Sequence, residues 1–508
     1  MRFRRTAAAV LAGAGLAGSL GMTLSPVPAS AATGLGDPVF PTLGNPGYDV
    51  SRYDLSVSYD PGTRLVAASL TIQARATDRL PSFTLDSVGT SGAQASVDGQ
   101  PASLAQQGEK LLVTPARPVT EGRTFITRIS YTADPRMAVP HSAWVYTDDG
   151  FAVAGQPEGT HSVLPCNDHP SDKARFVVHF DLPDGLFGVA NGYRVRSRSE
   201  AGRVRSTYDS VQPMATELLQ VAVGQLSEVQ RGTVDGSTVR DVVPTSRAAA
   251  LEPALALTPG QLRWLSARLG RFPFGQYGLL PVNADAPPNL SFTGLETQTL
   301  TLYRPLFLLQ PEQSIGSHMM HELTHSWFGN SVTPKTWADA WLNEGHADYY
   351  GLLYRYERGW PDSRGFTTLE QRMQYTYSQG DLWRSTSGPV AAPDAENLWD
   401  NQRYLGGVLV LYALRERIGA AAFDAVEQTF LRRFRYGNAS TADYIAVAGQ
   451  VSGQDLTAFL QDWLYGTKPP PMPNHPDWTV TPVVPALAAA ATAARAGGQP
   501  QEASGTLD

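Results

Sequence analysis

The array His321-Glu322-Leu323-Thr324-His325 constrains this chain more than any other stretch, because its chemistry needs a helix. Residues four apart on an α-helix are turned by about 40° and separated by about 6 Å along the axis, so both imidazoles lean toward one point. Neutral imidazole is a good zinc ligand. Glu322 stands beside that point without being a ligand, where a general base can take a proton from water at the metal. Glu344 follows after eighteen intervening residues, enough for a helix end, a turn and the start of a second helix. Two histidines and one carboxylate, with a fourth position open, form the donor set of a catalytic rather than a structural zinc site. The spacing therefore predicts a single Zn2+ held by His321, His325 and Glu344.

The remaining pattern narrows the reading. The H-E-x-x-H-x-x-G-x-x-H class needs Gly at 328 and His at 331, where this chain has Phe328 and Ser331. His318 shares a helical face with the pair but lies about 10 Å along the axis from His325, too far to join the same metal on a straight helix. It is expected to pack beside the ligands. His346 follows Glu344 by two positions, about 200° round a helix, and should point away. Asp348, one turn beyond Glu344, is placed to accept the outer N–H of a zinc-bound histidine. Asp339 suits a cap on the second helix.

Residues 1–31 read as an export signal: Arg2, Arg4 and Arg5, an Ala/Gly/Leu stretch, then Ala29-Ser30-Ala31 before a cleavage point at Ala32. The Arg4-Arg5 pair leaves a twin-arginine route open beside the general one. Removing three arginines and no acid takes the formal charge from −7 to −10, which argues against nucleic acid or an anionic membrane as partner. No later run of 18 apolar residues exists, so no membrane insertion is expected. The single cysteine, Cys166, cannot form an intrachain disulfide and reads as a buried, inert thiol. Stability must come from a core.

From about Tyr48 to Ser227 the pattern is β. Leu70, Ile72, Ala74 and Ala76 alternate with Ser69, Thr71, Gln73 and Arg75, and Phe125, Thr127, Ile129 and Tyr131 repeat the period of two. Thr258-Pro259-Gly260 opens a helix through Leu269, another runs from about Arg403 to Ile418, and residues 423–465 read as further helix. Pro469-Pro470-Pro471-Met472-Pro473 is expected to end the ordered chain. The expected divisions are 1–31 (signal peptide), 32–235 (β domain), 236–468 (catalytic domain) and 469–508 (Pro/Ala-rich flexible tail).

The block His321–Asn330, with Trp341-Leu342-Asn343-Glu344-Gly345, resembles the zinc aminopeptidase family that includes aminopeptidase N and leukotriene hydrolase, among the gluzincin metallopeptidases that also hold thermolysin. The resemblance runs from about Tyr48 to Lys468. It implies an α+β multidomain chain, an N-terminal antiparallel β domain followed by a thermolysin-like, mostly helical zinc metallopeptidase domain. It implies that His321, His325 and Glu344 hold zinc and that Glu322 is the base. Thr293-Gly294-Leu295-Glu296-Thr297 stands where the family has its Gly-Ala-Met-Glu-Asn exopeptidase motif, and transfers only Glu296, as a ligand of the substrate's free amine. Gln156-Pro157-Glu158 resembles the family's Gln-x-Glu element and adds Gln156 and Glu158 to that role. Tyr404-Leu405-Gly406-Gly407 resembles the segment that supplies the family's oxyanion-stabilising tyrosine, with Gly406 in place of the usual basic residue.

The resulting expectation is a secreted aminopeptidase acting on peptides with a free N-terminus. Two carboxylates facing a terminal ammonium give charge-assisted hydrogen bonds and a reason to cut one residue in. A gluzincin endopeptidase, and a silent binding protein on the same scaffold, stay open as alternatives. Many family members continue into a helical C-terminal domain that closes over the cleft, whereas this chain stops soon after the catalytic region.

Overall fold

In the computed structural model, residues 34–284 and 292–480 are described. Strands β1 (Tyr48–Asp60), β2 (Leu65–Ala76), β3 (Phe83–Asp86), β4 (Ser91–Val97), β5 (Gln100–Gln107), β6 (Lys110–Thr114) and β7 (Thr124–Ala133) open the β-rich half. They are followed by β8 (Trp144–Tyr146), β9 (Phe151–Val153), β10 (Arg175–Pro183), β11 (Phe187–Ala190), β12 (Tyr193–Glu200), β13 (Arg203–Asp209) and β14 (Val221–Gly224). Ten of these form one sheet in the order β12-β13-β10-β1-β2-β7-β4-β5-β6-β3, and β11-β14-β9-β8 form a second. The pairing is antiparallel throughout except for β1 with β10.

The period of two decides which side chains enter the core. Along β2, Val66, Ala68, Leu70, Ile72, Ala74 and Ala76 are buried, and along β7 Phe125, Thr127, Ile129 and Tyr131 are. In β1 the buried set passes from Tyr48 and Val50 to Tyr53, Leu55, Val57 and Tyr59. A register shift between Val50 and Arg52 inserts the extra residue that changes the parity. Each large apolar side chain so buried contributes about 1.5–3 kcal/mol.

A hairpin, β15 (Leu226–Val234) and β16 (Ser237–Pro244), turns at Asp235 and Gly236, where the domain division was expected, and carries strand structure on to Pro244. The helical half begins with α1 (Ala248–Leu255) and α2 (Thr258–Leu269), in which Leu262, Leu265 and Leu269 are buried at helical spacing. Strand β17 (Gln276–Tyr277) joins β16, and β18 (Leu279–Pro281), β19 (Gly294–Leu295) and β20 (Thr301–Tyr303) form a small sheet in the order β18-β20-β19. Next come α3 (Pro305–Leu308), α4 (Glu312–Thr324), α5 (Trp341–Glu357), α6 (Leu369–Ser378), α7 (Gly380–Ser387), α8 (Leu405–Ile418), α9 (Ala420–Arg433), α10 (Thr441–Ser452) and α11 (Thr457–Tyr465). The β-rich half followed by this helical half makes the chain α+β.

The ordered chain passes the proline run, which corrects the expectation that it ends there. Met472 and Trp478 are buried in the helical core. The Trp478 ring stacks on Tyr412 of α8 at 5.9 Å, with His475 stacked on Trp478 at 4.2 Å. Prolines fix an extended backbone at little entropic cost, and two large apolar side chains spaced along it dock onto α8. Residues 481–508, and the expected signal peptide at 1–31, lie outside the described residues. No helix among the described residues is long and apolar enough to cross a membrane.

Candidate metal centre and substrate cavity

Helix α4 is buried on almost every side: Ile315, Met319, Met320 and Leu323 pack into the helical core, and His321 and Glu322 are buried with them. His325 is the C-cap residue just past the end of α4, with its amide bonded back to the His321 carbonyl at 3.3 Å. The chain then turns at Gly329, whose φ of +126° disfavours any side chain. The 3-10 turn Trp337–Asp339 carries a capping box between Thr336 and Asp339, and α5 follows. Asp339 also accepts hydrogen bonds from the amide and hydroxyl of Thr441, tying α10 to the start of α5. Glu344 falls in the first turn of α5 and Asp348 one turn later, both facing α4.

The ring nitrogens settle what fits here. His325 Nδ1 donates to the Phe328 carbonyl at 3.1 Å, and His321 Nδ1 donates to Asp348 Oδ1 at 2.7 Å. With both outer nitrogens protonated, the two Nε2 lone pairs face each other 3.1 Å apart. Glu344 Oε2 lies 3.4 Å from the first and 3.6 Å from the second. Two lone pairs and a carboxylate oxygen converging in a buried site repel one another unless a cation lies among them. His321, His325 and Glu344 form such a cluster, and their N2O donor set suits Zn2+.

The surrounding cavity is lined by Gln156, the 292–296 segment, His318, Trp399, Tyr404 and the residues of the cluster. Its wall carries Glu296, Glu322 and Glu344 and, among the described residues, no lysine or arginine, an environment for cations. Glu296 Oε1 accepts a hydrogen bond from Gln156 Nε2 at 2.6 Å and stands 3.9 Å from His325 Nδ1. Asn330, just past the His325 turn, donates to the Glu296 carbonyl at 2.8 Å. Gly294, in the edge strand β19, lies against Glu322: a Cβ there would be 2.7 Å from Oε1. Tyr404 stands at the start of α8 with its ring 6.0 Å from His321, tilted by 18°. Burial, then Glu344, Asp348, Glu296 and Glu322, hold its phenol well above the ordinary tyrosine range, so it keeps its proton.

Two segment models describe this sequence: the Peptidase M1 N-terminal domain over residues 50–218 and the Peptidase family M1 domain over residues 270–463. The chain belongs to peptidase family M1. A crystal structure of the M1 zinc metallopeptidase from Deinococcus radiodurans is 29% identical, with a TM-score of 0.74 over 87% of this chain and 99% of that one. A mutant of that enzyme bound to Tyr-Ser-Ala substrate matches with a TM-score of 0.75. Leucyl aminopeptidase of Saccharolobus solfataricus is 25% identical over 76% of this chain and 49% of its own length. Leukotriene A-4 hydrolase of Xenopus laevis is 25% identical over 78% of this chain and 67% of its own. The chain thus spans about half of the archaeal relative and two thirds of the amphibian one.

Of the residues singled out from sequence, this M1 chain brings together His321, Glu322, His325, Glu344, Asp348, Glu296, Gln156 and Tyr404. Glu158 is the departure. Its carboxylate pairs with His141 Nδ1 at 3.1 Å, and it is not among the residues that line the cavity. His346 turns away from the metal cluster, with Nδ1 donating to the Leu342 carbonyl at 2.8 Å and Nε2 3.0 Å from Glu427. Cys166 is buried and free.

Two wall residues carried no such expectation, Phe292 and Trp399, while His318 packs beside the ligands as expected and faces Glu322. Nor did Glu217 carry one, outside the wall itself; burial first and Glu296 second push its carboxyl up to about 8. Phe292 and Trp399 come from segments with no metal or motif signal. Glu217 sits in an apolar run, Ala215 to Val223, where a lone acid is the only clue.

Proposed function

We propose that this chain is a secreted aminopeptidase that hydrolyses the first peptide bond of peptides with a free amine. The observation that carries the reading is the Gln156–Glu296 pair, a hydrogen-bonded carboxylate and amide in the cavity wall, its carboxylate 3.9 Å from a metal-cluster histidine. A terminal ammonium held there has its own peptide carbonyl within one residue's reach of the cluster. Zn2+, when bound by His321, His325 and Glu344, supplies Lewis acidity and a water of lowered pKa.

The chain's own residues do the rest. Glu322 Oε2, which has no hydrogen-bond partner among the described residues, takes the proton from the attacking water and returns it to the leaving amine. Tyr404, kept protonated, donates a hydrogen bond to the oxygen that gains charge as the carbonyl is attacked. Asp348 fixes the ring and tautomer of His321. Glu296 and Gln156 set the substrate's register. Glu158 is left out of this role by its pairing with His141. The aromatic wall of Phe292 and Trp399 suits an apolar first side chain.

The test compares a peptide with a free amine against its N-acetylated twin. The free peptide should be cut from its first residue and the blocked one left intact. Cleavage of both at an internal bond would replace this reading with the endopeptidase one, and cleavage of neither by zinc-loaded protein would leave a silent scaffold. The export reading rests on the first 31 residues. N-terminal sequencing of the protein recovered from the medium should begin at Ala32.

A further inference from the structure

We propose that His318 is a positioning residue for Glu322, holding one carboxylate oxygen so that the other stays free for the proton. The inference rests on the peptidase reading of Glu322 as base. His318 and Glu322 are one turn apart on α4, and His318 Nε2 lies 3.3 Å from Glu322 Oε1. That same oxygen is closed off on its far side by the backbone of Gly294, where a Cβ would come within 2.7 Å. Oε1 is thus wedged between an imidazole and a glycine. Neither Oε2 nor His318 Nε2 has a hydrogen-bond partner among the described residues, and Nε2 is left facing Oε1 at 3.3 Å.

The imidazole itself is fixed. Its face lies parallel to His321 at 5.7 Å and 11°, and it meets the rings of Phe307 at 5.0 Å and Tyr303 at 6.3 Å edge-on. A ring clamped by three others cannot swing away, so its Nε2 stays 3.3 Å from Oε1, within reach of a hydrogen bond after a small turn of the carboxylate. His318 is not a member of the metal cluster. A side chain there that served only to fill space would not need a nitrogen facing the carboxylate; leucine has similar bulk. A base with both oxygens free turns about its last torsion and spends less time aimed at the water, and the loss falls on the chemical step rather than on substrate binding.

The test uses zinc-loaded wild type, His318→Leu and His318→Gln. Leu keeps bulk without a donor; Gln restores an N–H donor at similar reach. On leucyl-p-nitroanilide the leucine variant should lose about tenfold or more in kcat with KM within about twofold, and the glutamine variant should recover most of the loss. Zinc per chain and the melting temperature check that each variant is loaded and folded. Calorimetric binding of leucine hydroxamate, whose N–O–H group needs the base as acceptor, should weaken about tenfold in His318→Leu and recover in His318→Gln.

Unchanged kcat and hydroxamate binding in the leucine variant, or equal losses in both variants, would overturn the assignment. If wild type fails to cleave the anilide while the hydroxamate pattern holds, the aminopeptidase reading falls and the positioning role stands. If His318→Leu does not fold, an asparagine variant with a shorter donor should show an intermediate loss in both readouts, and wild-type behaviour there overturns the proposal.

Discussion

Gly345 and Gly407 meet backbone to backbone where α5 crosses the start of α8: a Cβ on Gly407 would fall 2.8 Å from the Gly345 Cα, and one on Gly345 2.9 Å from the Gly407 Cα. That approach brings the first turn of α8, and with it Tyr404, against the helix that carries Glu344. Gly407→Ala should push the helices apart, destabilising the fold by about 1–3 kcal/mol and lowering kcat because Tyr404 moves with α8. Thermal unfolding and steady-state kinetics read the two effects, and a variant that melts and turns over like wild type would remove the constraint.

The three parts of the metal centre should separate cleanly by mutation. Glu344→Gln should lose zinc, because a neutral amide is a poor ligand. Asp348→Asn should keep the ligands but weaken zinc about 10–100-fold, with activity restored by added metal, because His321 loses its carboxylate partner. Glu322→Gln should retain full zinc and lose about 10²–10⁴ in kcat. Metal content by atomic emission, set beside turnover, distinguishes the three. Full activity in Glu322→Gln would remove the proposed base.

Tyr404→Phe deletes one hydroxyl and leaves the ring stacked beside His321. If the phenol serves the developing negative charge, kcat should fall by about 10²–10³ with KM little changed. A rise in KM alone would mean that Tyr404 binds substrate in the ground state instead.

The parts of the molecule that obey a local period were legible in sequence. The alternation in β2 and β7, the start of α2 at Thr258 and its buried leucines, and the H-E-x-x-H face all follow from residues a few positions apart. Asp348 was legible for the same reason, being one turn from Glu344. What stayed hidden depends on long-range encounters. The bulge in β1 that moves burial from Val50 to Tyr53 is set by pairing with β2 and leaves no mark in composition. Gln156 and Glu158 are neighbours in a motif, yet one reaches Glu296 and the other His141. Trp478 looked like tail because prolines precede it, and only α8 supplies the surface that orders it.

Glu217 makes the chain's stability depend on pH in a direction set by its burial. It is fully buried, with one oxygen lacking any partner among the described residues, and its carboxyl is pushed from 4.5 up to about 8, by burial first and then by Glu296. Between those values the folded chain keeps a proton that the unfolded chain has released. Stability contributed by the neutral carboxyl is therefore fully present below about 4.5 and is lost as pH rises toward 8, by a few kcal/mol at most. Lys173, beside it, donates to the carbonyls of Asn330, Ser331 and Gly437 and is pushed down to about 7 by burial, so above that point it works the other way. Glu217→Gln keeps the shape and removes the titration. Its melting temperature should vary less than that of wild type between about pH 5 and about pH 8, with the variant gaining most at the alkaline end. Parallel curves for the two proteins would mean that Glu217 is ionised in the fold and paired with Lys173.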